Sequence, residues 1–342
     1  MTTDKSYRAG VIGAGAIAQT CHMPGYDALD NVEFAAFADP AKARHKEITE
    51  RYRNARGYTD YKAMLANEAL DAVSVCSPNV FHAEQTIAAF EAGCHVLCEK
   101  PMAVTLDEAG AMLAAGAKAK RKLMIAFTNR LTEGPLACKQ LLKDKAIGKP
   151  FMIRVRFAHG GPSPGWAKSH WFYNPELSAG GALFDMGIHA IDLCNWLIGP
   201  IRSVSGLTAT LVKDIEVEDN ALVQLEFKNK ALGYIEVGWT SRPGFVGFEI
   251  YGPDGSIICD YDRGLTLCGG TLTAGQDGEP EWTTLDRNPT KGGWDVQIKH
   301  WLDVIEGREK LTMDGQAGRA ALEAALAAYE SSKTGQRITL AE

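Results

Sequence analysis

Residues Arg8–Ala18 read R-A-G-V-I-G-A-G-A-I-A, and this stretch decides the fold. Val11 and Ile12 end a short apolar run, Gly13-Ala14-Gly15 make a tight turn, and Ala16-Ile17-Ala18 open a helix. The pattern is G-x-G-x-x-A, a dinucleotide fingerprint with Ala at its third small position. Gly13 permits the sharp strand-to-helix turn, and Gly15 lets a pyrophosphate approach backbone that carries no Cβ. Ala18 keeps the helix close to the sheet. The helix N-terminus at Ala16 and Ile17 then presents its free N–H groups to phosphates.

Outward from this stretch, strand and helix signals alternate as far as Phe127. Apolar runs at Arg8–Ile12, Phe34–Ala38, Tyr58, Val73–Cys76, His95–Cys98 and Leu123–Phe127 are separated by helical segments, the first running to about His22. Thr105-Leu106-Asp107-Glu108 is a capping box that opens another helix. Six strands alternating with helices predict an α/β doubly wound parallel sheet over residues 1–127, with ligands at the carboxyl ends of its strands.

After Thr128 the pattern changes. A helix near 134–145 leads to an alternating segment, Phe151–Phe157. A Gly/Pro/Trp-rich loop (His159–Pro175) follows, then an apolar helix from about Ala182 to Ile198 stopped by Gly199-Pro200. Alternating runs at Ile201–Val212, Ala221–Lys228, Ala231–Ser241, Phe245–Gly252 and Ser256–Tyr261 predict a large open antiparallel sheet. Residues 128–342 therefore read as an α+β domain for substrate binding and oligomerisation. One face of the sheet is apolar and helix-covered. The other carries Arg154, Arg156, Gln224, Glu226, Tyr234 and Glu236, which favours a homo-oligomer, dimer or tetramer, packed through that face.

The chain has 342 residues, 46% hydrophobic and 23% charged, with net charge −6, and so reads as globular and ill suited to nucleic acid. The one basic cluster, Lys118, Lys120, Arg121 and Lys122, falls where a helix ends and cations oppose its dipole. Eight cysteines show no C-x-x-C pair, and Cys76 and Cys98 lie in apolar runs, as reduced thiols do. With neither a signal peptide nor an apolar span long enough for a membrane, a cytoplasmic location is expected.

Asp39 ends the second strand, where an acid accepts hydrogen bonds from adenosine ribose hydroxyls and repels a 2′-phosphate. It also stands ahead of Pro40 as a cap for the next helix. Arg44 could serve a 2′-phosphate, so NAD is expected and NADP is the less favoured coenzyme. The fourth strand ends Cys76-Ser77-Pro78-Asn79-Val80-Phe81-His82 and the fifth Cys98-Glu99-Lys100-Pro101, both at the edge where the nicotinamide half of a dinucleotide belongs. In the second domain Asp185, His189 and Asp192 stand at i, i+4 and i+7, within about 60° of one another on a regular helix. A buried helix must satisfy such a polar stripe internally or turn it to a pocket. No further ligand cluster accompanies it, so no metal is expected. Trp166, His170 and Trp171, in the preceding loop, are placed to stack on a sugar ring or to pack the loop. Arg156 and Asn129-Arg130 are further pocket candidates.

G-A-G-A-I-A, S-P-N-x-x-H, A-G-C-H-V-L-C-E-K-P and G-G-A-L-F-D-M-G-I-H-A-I-D together resemble the glucose–fructose oxidoreductase, inositol dehydrogenase and rhizopine-catabolism (Gfo/Idh/MocA) family over essentially the whole chain. The resemblance implies an N-terminal Rossmann domain, a C-terminal antiparallel α+β domain, a dinucleotide, and redox chemistry on a sugar or polyol. It implies a cis bond before Pro101 that holds Lys100 toward the nicotinamide. By matching motif, Lys100, Asp185 and His189 correspond to the family's catalytic residues. Gly13, Gly15, Ala16, Ile17, Asp39, Ser77, Pro78, Asn79, His82, Glu99 and Lys100 are expected to line the coenzyme, and Trp166, His170 and Trp171 to join the catalytic three around substrate.

The expectation is an NAD-dependent oxidoreductase moving a hydride between a secondary hydroxyl of a sugar, inositol or related polyol and nicotinamide. Lys100 and His189 would handle the proton and Asp185 would orient. The alternatives are an enzyme that holds NAD through a closed redox cycle, as in glycosidic-bond cleavage, and a non-catalytic NAD-binding sensor.

Overall fold

The structure, a computed structural model, describes residues 6–163, 165, 167, 169–269 and 281–341. They fall into two compact units, one made of Met1–Phe127 with Trp294–Arg319 and the other of Thr128–Gly293 with Ala320–Glu342. The division expected after Phe127 did not anticipate the return of residues 294–319 to the first unit. That segment is tied there by Ile125 N–H donating to the Met313 carbonyl at 2.8 Å.

In the first unit β1 (Tyr7–Ile12), β2 (Val32–Ala38), β3 (Arg56–Tyr58), β4 (Ala72–Val75), β5 (His95–Cys98) and β6 (Leu123–Ile125) form one parallel sheet in the order β3-β2-β1-β4-β5-β6. This is the doubly wound arrangement, and the order reverses between β1 and β4, where a crevice opens at the strands' carboxyl ends. The fingerprint helix runs on to Asp27, past the expected end at His22, with Ala18–His22 wound as a π-helix. That wider turn runs directly into Met23–Asp27, which includes Pro24. The expected capping box is present, with Thr105 and Glu108 bonded reciprocally. The basic cluster straddles the end of that helix, with Lys118 in its last turn and Lys120 in the left-handed conformation just beyond Ala119.

In the second unit nine strands form one sheet. They are β7 (Met152–Ala158), β8 (Ile201–Ala209), β9 (Asn220–Phe227), β10 (Leu232–Gly238), β11 (Phe245–Gly252), β12 (Gly255–Asp260), β13 (Gly264–Gly269), β14 (Trp282–Leu285) and β15 (Ile338–Thr339). Their order is β14-β13-β12-β11-β7-β10-β9-β8-β15. The sheet is largely antiparallel, as expected, with one parallel pair, β7 and β10, at its centre. The chain leaves β7 through helices, returns as the meander β8-β9-β10, and so reaches β7 again in the same direction, as a crossover must.

The helical stretch Leu183–Leu197 packs on β7 and β10. Leu183, Phe184, Ile188, Ile191 and Leu193 are all 1% exposed or less, and each contributes about 1.5–3 kcal/mol by leaving water. The opposite face of the sheet is open. Register aligns Leu207, Leu222, Glu236 and Arg156 in one row and Ser205, Gln224, Tyr234 and Arg154 in the next.

Candidate functional site

The coenzyme end of the first unit is built by contacts that only glycine allows. Gly13 has φ +85°, and a Cβ there would stand 2.6 Å from the Ser77 backbone nitrogen, so the β1 turn and the β4 turn touch. A Cβ on Gly15 would meet nothing within 4 Å. Gly15 therefore borders open space beside a helix N-terminus, with Ala16 exposed and Ile17 half-buried behind it. This space is what a dinucleotide's pyrophosphate needs.

Asp39 is 3% exposed and fully engaged. Its Oδ2 accepts from the Ala14 N–H at 2.8 Å, its Oδ1 from the Ala41 N–H at 2.8 Å, and Arg44 Nη1 reaches both oxygens at 3.0 and 2.8 Å. The carboxylate thus braces the glycine turn. The Arg44 side chain that pairs with it is 42% exposed.

At the β4 and β5 ends, Ser77 and Pro78 are half-buried and Asn79 is 7% exposed. The Ser77 hydroxyl donates to Gln85 Oε1 at 2.6 Å. His82 is 1% exposed, with Nδ1 2.7 Å from the Pro101 carbonyl and Nε2 2.8 Å from the Ser77 carbonyl. Both ring nitrogens are occupied, so His82 ties the S-P-N turn to the K-P turn. It was expected to line the coenzyme. Burial holds its proton affinity below the ordinary imidazole value, against the pull of the two carbonyls. The Lys100–Pro101 bond is cis. Glu99, also expected to line the coenzyme, is 8% exposed and turns inward, its Oε1 2.9 Å from His22 Nε2. His22 continues to Ser74 and Tyr26, three residues that sequence reasoning missed, because nothing local marks a contact across three elements.

In the second unit the residues before the polar stripe are shaped by one acid. Glu218 accepts from the Gly181 N–H at 3.0 Å and the Leu183 N–H at 2.9 Å, and Tyr329 donates its hydroxyl to it at 2.7 Å. A Cβ on Gly181 would lie 2.0 Å from the Glu218 carbonyl oxygen, which explains the second glycine of G-G-A-L-F-D. Burial pushes the Glu218 carboxyl upward against these donors. Leu183–Gly187 is π-helical and Ile188–Leu197 α-helical. Asp185 (7% exposed) and half-buried His189 stand on adjoining turns.

Trp239 Nε1, at the end of β10, donates to Asp185 Oδ2 at 3.2 Å. No sequence spacing marks this tryptophan. Asp192 belongs to a different structure: it is 1% exposed and held by Arg130 through Nε at 2.8 Å and Nη2 at 2.6 Å. The Arg130 guanidinium is thereby committed to a buried ion pair, and Asn129 accepts from the Tyr261 hydroxyl at 3.0 Å. Arg156 lies on the open sheet face, paired with Glu236 at 3.2 Å and packed on Phe245. These three were offered as pocket residues, and each is taken by a structural contact.

In the preceding loop Trp171 stacks on Phe172 at 4.0 Å, and His170 faces Tyr173 at 6.3 Å. Tyr173 meets Trp239 edge-on at 5.5 Å, which links the loop to the residue that holds Asp185. Trp166 lies outside the described residues. Among the described residues no group of three His, Cys, Asp or Glu side chains is placed to hold a metal ion, and no helix is long and apolar enough to cross a membrane.

Residues 7–127 match a family model described as an oxidoreductase family with an NAD-binding Rossmann fold, Gfo/Idh/MocA, and residues 136–258 match the Gfo/Idh/MocA C-terminal domain. D-glucoside 3-dehydrogenase of Escherichia coli (strain K12) is 28% identical over 99% of both chains. Myo-inositol 2-dehydrogenase of Thermotoga maritima is 27% identical over 98% of this chain and 99% of its own. The crystal structure of the WlbA dehydrogenase from Chromobacterium violaceum, in complex with NADH and UDP-GlcNAcA, superposes with a TM-score of 0.85 at 29% identity, covering 100% of this chain and 97% of that one. The resemblance read from the motifs is thus met along the chain.

Proposed function

The chain belongs to the Gfo/Idh/MocA family of NAD-binding oxidoreductases, and from that premise we propose that it is an NAD-dependent dehydrogenase of sugars, inositols or related polyols. The substrate class comes from the glucoside and inositol dehydrogenases to which it is similar. NAD, when bound, supplies the hydride acceptor, and Gly13, Gly15, Asp39 and the S-P-N and E-K-P turns would hold it.

The observation that carries the reading is Asp185, a buried carboxylate fixed by Trp239, one turn from half-buried His189. A secondary alcohol that gives up a hydride must also give up its hydroxyl proton. His189 takes that proton as a general base, and Asp185 holds it in orientation and favours the charge it acquires. Lys100 donates a hydrogen bond to the same oxygen and stabilises developing alkoxide. His170 and Trp171 offer ring surface to the substrate. The open face carrying Leu207, Leu222 and Tyr234 (68%, 54% and 44% exposed) pairs with a second copy of the chain.

The test is absorbance at 340 nm with NAD over inositols, aldoses, sugar acids and glycosides. NADH growth with one class, abolished in His189→Ala, is the expected result. A flat trace across the panel, with NAD released on denaturation, would instead favour a closed redox cycle or a sensor.

A further inference from the structure

A chain of four buried polar side chains crosses the first unit, and the hydride chemistry above leaves it unused. The Tyr26 hydroxyl lies 2.9 Å from Ser74 Oγ, Ser74 Oγ lies 2.9 Å from His22 Nδ1, and His22 Nε2 lies 2.9 Å from Glu99 Oε1. The four residues are 2%, 0%, 0% and 8% exposed, in that order. Burying so many polar groups is costly unless every one is satisfied. One assignment of hydrogens satisfies them with Glu99 ionised: Tyr26 donates to Ser74, Ser74 to Nδ1, and Nε2–H to the carboxylate.

A proton relay would need an outlet. At the Tyr26 end of this chain burial makes the phenol a still weaker acid than usual. What the chain provides is a carboxylate fixed in place from behind.

The chain joins three elements that border the coenzyme crevice. His22 and Tyr26 ride on the helix that begins at the fingerprint, Ser74 on β4, and Glu99 directly follows β5. Glu99 Oε2 in turn accepts the backbone N–H of Lys100 at 3.3 Å. The π-turn Ala18–His22 delivers the imidazole to the interior, where it is wholly buried. We propose that His22 is a positioning residue, which locks Glu99, and through it Lys100, to the phosphate-binding helix, so that seating a dinucleotide on that helix is felt at the lysine. The proposal rests on the assignment of Lys100 to the substrate oxygen.

The experiment compares wild type with His22→Ala, His22→Gln and Ser74→Ala in the full chain. A glutamine amide can still donate to Glu99; alanine cannot. NAD affinity, read by quenching of tryptophan fluorescence, should stay within about threefold of wild type in all of them. With the substrate found at 340 nm, kcat should fall about tenfold or more in His22→Ala, about threefold in Ser74→Ala, and recover in His22→Gln, with KM little changed. A second readout needs no turnover. Reductive methylation of Lys100, followed by peptide mass spectrometry, should change in rate on adding NAD by about threefold in wild type and His22→Gln, and by much less in His22→Ala. An unchanged kcat and an unchanged labelling response in His22→Ala would overturn the proposal. So would a glutamine variant as impaired as alanine, since the contact would then be mere packing. If His22→Ala does not fold, Ser74→Ala carries the comparison, and an unaltered labelling response there counts against the proposal. If wild type oxidises nothing in the panel, the dehydrogenase reading fails while the labelling still decides the coupling.

Discussion

Trp239 Nε1 stands 3.2 Å from Asp185 Oδ2, a contact between residues 54 positions apart that joins the end of a central strand to the polar turn of a buried helix. Trp239→Phe would keep the ring against Tyr173 and remove the only donor the indole has. One hydrogen bond to a charged group is lost, so kcat should fall about tenfold with KM within about twofold. Steady-state rates at 340 nm decide it, and an unaltered kcat would remove Trp239 from the account of Asp185.

Coenzyme choice should depend on Asp39 and Arg44 in opposite ways. Asp39→Ala removes the acceptor, loosens the Ala14 turn and releases a guanidinium, so KM for NAD should rise about tenfold and selectivity should move toward NADP. Arg44→Ala frees the carboxylate, leaving KM for NAD within about twofold and abolishing any residual NADP activity. Paired kcat/KM values for both coenzymes test this.

Gly181 faces the Glu218 carbonyl so closely that Gly181→Ala must shift backbone. A loss of about 2–4 kcal/mol in urea unfolding is expected. A cost below about 1 kcal/mol would mean that the turn yields more easily than its contacts imply.

Burial pushes Asp192 up to about 6, despite Arg130 beside it. Its value in the unfolded chain is the lower, ordinary carboxylate one. Between the two values the folded protein keeps a proton that the unfolded chain has released, so this residue's contribution to stability falls as pH rises from about 4 to about 6. The fall is at most about 3 kcal/mol. Asp192→Asn should flatten that slope, because the amide that replaces the carboxyl does not titrate. Urea midpoints at a series of pH values provide the measurement.

The open sheet face predicts self-association. Light scattering behind a sizing column should give a mass of two or more chains, and Leu222→Arg, which sets a charge in the row shared with Leu207, should lower it. A monomeric wild type at micromolar concentration would remove this face from consideration.

The sequence showed clearly what is periodic or local. Alternating apolar runs and helices placed all six parallel strands, and the Gly13 turn, the Asp39 spacing and the Thr105 capping box each depend on neighbours only a few residues or one unit of fold away. What it hid depends on distant pairing. The parallel match of β7 with β10 joins strands separated by helices and two intervening strands, so no local pattern records it. Glu218 under Gly181, Trp239 under Asp185 and Ser74 under His22 are likewise contacts between separate elements. Asp192 divides the same way: its place on the polar stripe and its structural character were legible, while its partner Arg130 lies in another segment.

The helices that carry His22 and Asp185 into the interior each contain a π-turn, at Ala18–His22 and at Leu183–Gly187. A π-turn is, in effect, one extra residue accommodated without breaking the helix. Every side chain beyond it is rotated by about one residue relative to a helical wheel drawn through the whole segment. Grafting the D-x-x-x-H pattern onto an ideal helix would therefore reproduce the letters and misaim the groups. Deleting a single residue within either turn should restore regular winding and carry His22, or Asp185, away from its partner without changing any residue of the motif itself.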